Sequence, residues 1–315
     1  MIDFETPKPI EQINNVVETV ALNMMRPVSR YYDENEHEIP WDYINFMHQA
    51  VKSMGGTSMA PEERPAKEGE QKKKHPPIAY QRLAHMVEML AWGDAGMYLC
   101  VPGGLLGSAA VAAAGTPEQK KRFLSRFAGD KPVFDAMAMT EPQAGSDTSA
   151  IRATAVLDKE TNEWILNGEK IFVTAGQKAL VDSDGFMVVW ATIDPSAGRA
   201  GMRAFVVEAG TPGCSVTKLE HKLGIRVSDT ASVVLQDCRI PYDNILGSPT
   251  VEKTTKGFKG AMATFNATRP IVAAQAIGIA RATLELLKEV LEENGITIRY
   301  GLPRHKMTQT ERDVI

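Results

Sequence analysis

The sequence predicts an α+β protein in three parts: an N-terminal helical segment, a middle antiparallel β-unit and a C-terminal helical segment. Two changes of periodicity carry that reading. From Pro9 to about Phe127 apolar residues recur at three-to-four spacing, and from Val133 to about Leu246 they fall into short runs split by turn residues. From Lys256 to about Glu293 the helical spacing returns. The expected boundaries are 1–130 for the first helical domain, 131–248 for the β-domain and 249–315 for the start of a second helical domain.

Within the first part, "IEQINNVVETVALNMMRPVSRYY" and "YQRLAHMVEMLAWGDAGMYL" read as amphipathic helices. Between helices, Ala60–Pro77 carries proline, glycine and charge with almost nothing to bury, which predicts a mobile loop. "GTPEQKKRFL" gives a helix start, with Thr116 as N-cap, Pro117 at the first helical position and Gln119 placed to close a capping box.

The β-unit is read from "IRATAVLD", "EWILNGEKIFVTAG", "GFMVVWATI", "MRAFVVEA" and "ASVVLQDCRI", a spacing that suits an antiparallel sandwich or barrel. Leu166–Lys170, "LNGEK", reads as a hairpin turn, because Asn-Gly supplies the positive φ that a type I′ turn needs. The last part opens on one long helix. Its small residues Ala273, Ala274, Ala276, Gly278 and Ala280 would let another helix approach, and Gly295 would end it.

Composition bounds the function. The chain has 315 residues, 43% hydrophobic and 23% charged, which is the balance of a globular protein and not of a disordered or fibrous one. A net charge of −4 with no sustained basic face gives no footing for nucleic acid, and Lys72–Lys74 reads as a solvated loop. The N-terminus is acidic and lacks an apolar core, and no run approaches about 18 apolar residues. A cytoplasmic protein without membrane insertion is the expectation. Cys100, Cys214 and Cys238 are far apart in sequence and predict buried free thiols. No metal site is expected, since the six histidines show no H-x-x-x-H spacing and no nucleophile–base motif; His221 reads as a surface residue. Glu141, followed by Pro142, reads as a structural turn residue.

"MTEPQAGSD", 139–147, stands at the entrance to the β-unit, and with the order helices, β-unit, helices it resembles the acyl-CoA dehydrogenase family of flavoproteins. The resemblance spans nearly the whole chain. It rests on five ordered motifs: "GTPEQKKRFL", "MTEPQAGSD", "WILNGEKIFVTAG", "HKLGIRVSDTASVVLQDCRIPYDNILG" and "FNATRPIVAAQAIGIA". It implies an acyl-CoA dehydrogenase-like fold with its C-terminal helical domain apparently truncated, and FAD as cofactor. The implied reaction is α,β-dehydrogenation of an acyl-CoA thioester to the trans-2-enoyl-CoA in fatty acid metabolism. Electrons would pass to an electron-transfer flavoprotein, and the assembly would be a homo- or hetero-tetramer.

Carried over residue by residue, the resemblance assigns Met137, Met139 and Thr140 to the edge of the isoalloxazine, and Phe172, Val173 and Thr174 to a second flavin-contacting strand. Ser146 matches the serine near the flavin pyrophosphate and the CoA pantetheine. Asn266 and Arg269 match long-helix positions that meet CoA, with Phe265 beside them. Each also has a bland reading: methionines in a strand are usually core, Ser146 could cap a turn, and Arg269 could pair with a carboxylate.

Three departures from the family are visible. The base is expected either just before the arginine, where Thr268 stands, or in a loop beyond Ile315, so the catalytic residue is unknown. A truncated chain, a base-lacking subunit of a heteromeric enzyme, and an inactive binding relative all remain open, as does a flavin oxidase or monooxygenase on the same scaffold. "ITIRYG" only partly matches the family's Arg-x-x-Phe-Gly turn, leaving Arg299, Tyr300 and Gly301 in doubt as a contact to a neighbouring subunit's flavin. In "MYLCVPGGLLG", Tyr98 and Leu99 are bulky and Pro102 is expected to distort a helix interior, which favours a short or specially shaped acyl chain.

Overall fold

The computed structural model describes residues 6–53, 78–103, 106–251, 256–296, 299 and 302–314, with backbone alone at 79, 256–265, 267 and 314. The Ala60–Pro77 loop, Tyr300, Gly301 and the Phe265 side chain therefore lie outside the described residues.

The first helices are α1 (Lys8–Val20), which runs through a π turn at Ala21–Met25 into α2 (Arg26–Glu34), and then α3 (Trp41–Ser53). They are followed by α4 (Ile78–Tyr98), α5 (Leu106–Ala114) and α6 (Pro117–Leu124). At Asp94 the backbone of α4 leaves helical geometry (φ −165°, ψ 117°). Its carboxylate accepts from the N–H groups of Gly96 (2.7 Å) and Met97 (2.8 Å), so Asp94 acts as an N-cap that restarts the helix. Pro102 is not in a helix interior as the sequence suggested. It lies in the bend after α4, because a proline blocks the helical conformation of the residue before it and offers no N–H to continue the ladder.

The capping box at α6 forms as the sequence predicts: the Gln119 N–H donates to the Thr116 hydroxyl and the Thr116 N–H donates to Gln119 Oε1. Gln119 does more than cap. Its Nε2 donates to the carbonyls of Ile245 (2.6 Å) and Asp243 (2.9 Å), tying α6 to the far end of the β-unit.

That unit comprises β1 (Asp135–Ala138), β2 (Thr154–Asp158), β3 (Glu163–Thr174), β4 (Phe186–Thr192), β5 (Met202–Glu208), β6 (Cys214–Leu219), β7 (Thr230–Pro241) and β8 (Ile245–Leu246). They form one sheet ordered β6-β7-β3-β2-β4-β5-β8, with β1 beside β4. The expected all-antiparallel pattern is only partly met, since β1 and β2 each pair with β4 in parallel. The expected Leu166–Lys170 hairpin is not a turn: it lies inside β3. Gly168 instead takes a shift in register against β7, at a spot where any Cβ would come within 2.7 Å of Ala153. Asn167 pairs across to Asp237, accepting from its N–H at 2.8 Å. The true hairpin is 159–162, where Asp158 Oδ1 accepts from the Glu160 N–H and Asn162 takes a positive φ of 56°.

Strand β4 is buried along its whole length between two cores. Met187, Val189 and Ala191 face the helical side with Leu90, Met97 and Phe134, whereas Phe186, Val188 and Trp190 face Phe123, Phe127 and Met202. This explains why "FMVVWAT" is apolar on both faces instead of alternating.

Helix α7 (Lys256–Glu293) follows, ending at Gly295, and α8 (Gln309–Val314) comes last. Gly278 faces α4, where an added Cβ would sit 2.1 Å from the Glu88 carbonyl. The small-residue stripe is thus used partly within the chain, while Val272, Ile277 and Leu286 remain more than half exposed. Among the described residues, Thr268–Glu293 is long and apolar enough to cross a membrane by length and composition, with 17% of that window buried. Cys100 and Cys238 are buried and Cys214 is half-buried; burial pushes the Cys100 thiol up to about 11.

Candidate functional site

The chain leaving β1 folds back onto β3 and brings two of the sequence-predicted segments side by side. The Ile171 N–H donates to the Thr140 carbonyl (2.9 Å), which sets Met139–Thr140 against Ile171–Thr174. Beyond Thr140 a tight turn closes between Glu141 and Ala144, each N–H donating to the other's carbonyl at 3.0 Å. Pro142 and Gln143 form its tip, so Glu141 is a turn residue, as the sequence suggested.

A buried ion pair fastens the two segments. Lys170 Nζ, fully buried on β3, donates to Glu141 Oε1 (2.7 Å) and to the Met139 carbonyl (3.1 Å). Glu141 also accepts from the N–H groups of Arg152 (2.6 Å) and Ala153 (3.0 Å). Burial pushes the Glu141 carboxyl up, but Lys170 and these two donors outweigh it and hold the group below its usual value. With its oxygens engaged this way, Glu141 is an anchor and not a proton acceptor. Nothing in the sequence motif pointed to Lys170. The available signal was a lysine placed in phase with the buried residues of a strand.

Phe172 sits where the pairing of β3 with β7 slips between Lys170 and Val173. Its φ is 58°, the left-handed region, which is costly for a bulky residue and common where a backbone is held for function. The bulge points the ring outward at 60% exposure, while the neighbouring Val173 is buried at 1%. At the end of the strand Ala175 again has φ 58°, and its N–H donates to the Asp229 carbonyl (3.1 Å). The Asp229 carboxylate accepts from the Gln177 N–H (2.8 Å) and pairs with the buried Lys178. Asp229, like Lys170, was missed by the sequence reading, because its partners lie about fifty residues away.

Met137 and Met139 are buried in the core with Phe186, Val188 and Trp190, so their side chains meet the bland expectation and only their backbone groups remain to meet a ligand. Thr140 and Thr174 are half-buried and flank the bulge. Ser146 is exposed on the turn after Gly145, whose Cβ position has open space around it. The next residue, Asp147, accepts from the Ser149 N–H (3.0 Å) and lies 3.6 Å from Arg199. The 195–201 turn that carries Arg199 contacts α7 as well. On α7, Asn266 and Arg269 are exposed and joined by a 3.3 Å hydrogen bond, and Thr268 is half-buried between them. Arg299 does not point free toward a neighbour. Its guanidinium forms two 2.9 Å bonds to the buried Glu311 carboxylate.

These residues fit a flat, amphipathic ring with a polar edge. An outward aromatic ring supplies a face, the half-buried threonines supply hydroxyls at one side, and the surrounding strands are apolar. An unobstructed Gly-Ser turn leaves room for a phosphate-bearing arm.

The family profile described as acyl-CoA dehydrogenase, N-terminal domain, matches residues 9–131, and that described as acyl-CoA dehydrogenase, middle domain, matches residues 136–238. An acryloyl-CoA reductase (NADH) of Anaerotignum propionicum is 42% identical over 199 residues, 63% of this chain and 47% of that protein. A short-chain specific acyl-CoA dehydrogenase of Clostridium acetobutylicum is 33% identical over 297 residues, 93% of this chain and 70% of that protein. The butyryl-CoA dehydrogenase structure from Megasphaera elsdenii superposes with a TM-score of 0.72 at 30% identity, covering 97% of this chain and 74% of that one. The chain spans about half the length of the first two curated relatives, 47% and 46%.

Proposed function

The chain belongs to the acyl-CoA dehydrogenase family, and on that premise we propose that it binds FAD and acts in the α,β-dehydrogenation of an acyl-CoA thioester to the trans-2-enoyl-CoA. The observation that carries this reading is the left-handed bulge at Phe172, which holds an aromatic ring outward beside Thr140 and Thr174. In this reading the backbone of Met137–Thr140 and the Thr140 hydroxyl meet the flavin edge. Phe172 covers a ring face, and Thr174 with the backbone of Val173, whose side chain is buried in the core, lines the second side. Ser146 contacts the pyrophosphate and the pantetheine arm, and Phe265, Asn266 and Arg269 hold CoA.

Bound FAD supplies the acceptor for the substrate's β-hydride. The chain's own residues orient the thioester and keep water out, and Lys170 and Glu141 hold the flavin-edge segment in place. Removal of the α-proton needs a carboxylate whose pKa an apolar pocket has raised. Thr268 stands at one family position for that base, and its hydroxyl does not take the proton. The base is unassigned on this chain, which keeps a heteromeric arrangement with a base-bearing partner subunit within the proposal. Electron transfer to an electron-transfer flavoprotein and assembly into a tetramer belong to the proposal as well. The exposed apolar residues of α7 suit helix packing between subunits.

The relative named an acryloyl-CoA reductase favours a second reading, reduction of a short enoyl-CoA by the same site. Anaerobic addition of short-chain acyl-CoA to the FAD-loaded protein separates the two. Dehydrogenation predicts bleaching of the flavin band near ~450 nm. A band that persists with every acyl-CoA, while crotonyl- or acryloyl-CoA reoxidises the chemically reduced protein, would replace the first reading with the second.

A further inference from the structure

Outside the strand pair, the turn after α2 and the β6–β7 connection bring together three side chains of metal-ligand type. Glu36, His37 and His221 each offer one ligand atom, and those atoms lie within 4.8 Å of one another. His221 Nδ1 stands 2.8 Å from Glu36 Oε2, and the two imidazole rings are tilted with centroids 5.3 Å apart. His37 Nδ1 is buried with no hydrogen-bond partner among the described residues. A desolvated, unpaired polar atom is destabilising, so a partner is expected to satisfy it. His37 also holds a left-handed φ of 75°, a conformation uncommon outside glycine that histidine adopts more readily than most residues.

We propose that Glu36, His37 and His221 form a binding site for a divalent transition metal of the Zn²⁺ class, with one carboxylate oxygen and two imidazole nitrogens as ligands.

The donor set argues for that ion over a hard one. Two imidazoles with one carboxylate suit Zn²⁺, whereas Mg²⁺ and Ca²⁺ favour all-oxygen sites. The carboxylate is already positioned. Glu36 Oε1 accepts from the Lys222 N–H (2.8 Å), which leaves Oε2 turned to the histidines in the way an outer partner orients a metal ligand. Two cations oppose the metal. The Lys222 ammonium is drawn off to the Ser228 carbonyl, and Arg226, 3.4 Å from Glu36 Oε2, must yield its contact. Once bound, the metal clips the end of α2 to the 220–229 connection, the same connection that ends at Asp229 beneath Gln177 and Lys178. Glu36 and His221 lie 185 residues apart, so no local sequence spacing marks the site.

The test uses the untagged, FAD-loaded full chain, titrated with Zn²⁺ alone against a chromophoric chelator, with Co²⁺ as a spectroscopic substitute. One Zn²⁺ per chain is expected, and Co²⁺ should give the visible absorption of low-coordinate nitrogen–oxygen ligation. His221→Ala removes an exposed side chain and His37→Asn keeps a residue that tolerates positive φ, so both should fold, as far-UV circular dichroism will check. Each should weaken Zn²⁺ binding at least tenfold. No Zn²⁺ uptake by the wild type, or a loss below tenfold in both variants, overturns the proposal.

Discussion

Lys170 and Glu141 meet at 2.7 Å with neither side chain more than 2% exposed, and the same ammonium reaches the Met139 carbonyl. One cation thus joins the two segments to which the proposed flavin site is assigned. Removing one member of such a buried pair leaves the other charge uncompensated, at a typical cost of about 3–5 kcal/mol. Lys170→Met should therefore lower the urea midpoint strongly, and Lys170→Met with Glu141→Leu should recover part of the loss. A single variant as stable as the wild type would show that the pair holds nothing together.

The pair also fixes a pH dependence. Glu141 has a folded value below its unfolded one, so its contribution is present in full above the unfolded carboxylate pKa of about 4.3 and is lost as pH falls through the lower folded value. Unfolding free energy measured from pH 6 downward should fall more steeply for the wild type than for Glu141→Gln. Parallel acid limbs would remove Glu141 from this account.

Phe172 offers a test that separates function from stability. Glycine relieves a left-handed φ that costs a side-chain-bearing residue roughly 1–2 kcal/mol, offset in part by about 0.5–1 kcal/mol of added chain entropy. Phe172→Gly should leave thermal stability unchanged or slightly higher while weakening FAD binding at least tenfold. A destabilised variant with unaltered FAD affinity would make the ring a packing residue.

Gln119 is expected to be irreplaceable by glutamate, although both complete a capping box. Only the amide donates to the Asp243 and Ile245 carbonyls. Gln119→Glu should cost about 1–3 kcal/mol by turning a carboxylate onto two acceptors, and raising the pH from 4 to 7 should increase that cost. Equal stability of the two forms at pH 7 would refute the bridging role.

Much of this architecture was legible in local chemistry. The Thr116 cap, the bounds of α7, the stop at Gly295 and the turn at Glu141 each follow from residues within a few positions of one another. What escaped the sequence depends on distant partners. Asn167-Gly168 has the composition of a hairpin, but the close approach of Ala153 and the pairing with Asp237 make it a strand irregularity. Lys170, Asp229 and the Glu36–His37–His221 group are set by contacts across the fold, which periodicity does not encode. Of the candidate site, the sequence located the segments, while the left-handed bulge that turns Phe172 outward emerges only from the register of β3 against β7.

The most direct test of the central claim is a fluorescence titration of FAD with purified wild-type protein and Thr140→Val, a near-isosteric change that removes only the half-buried hydroxyl. Saturable quenching at one FAD per chain is expected, with at least a fivefold weaker affinity in the variant, the loss for one hydrogen bond of about 1 kcal/mol or more. No saturable binding by the wild type, or the same affinity in both proteins, would contradict the placement of the flavin edge at Thr140.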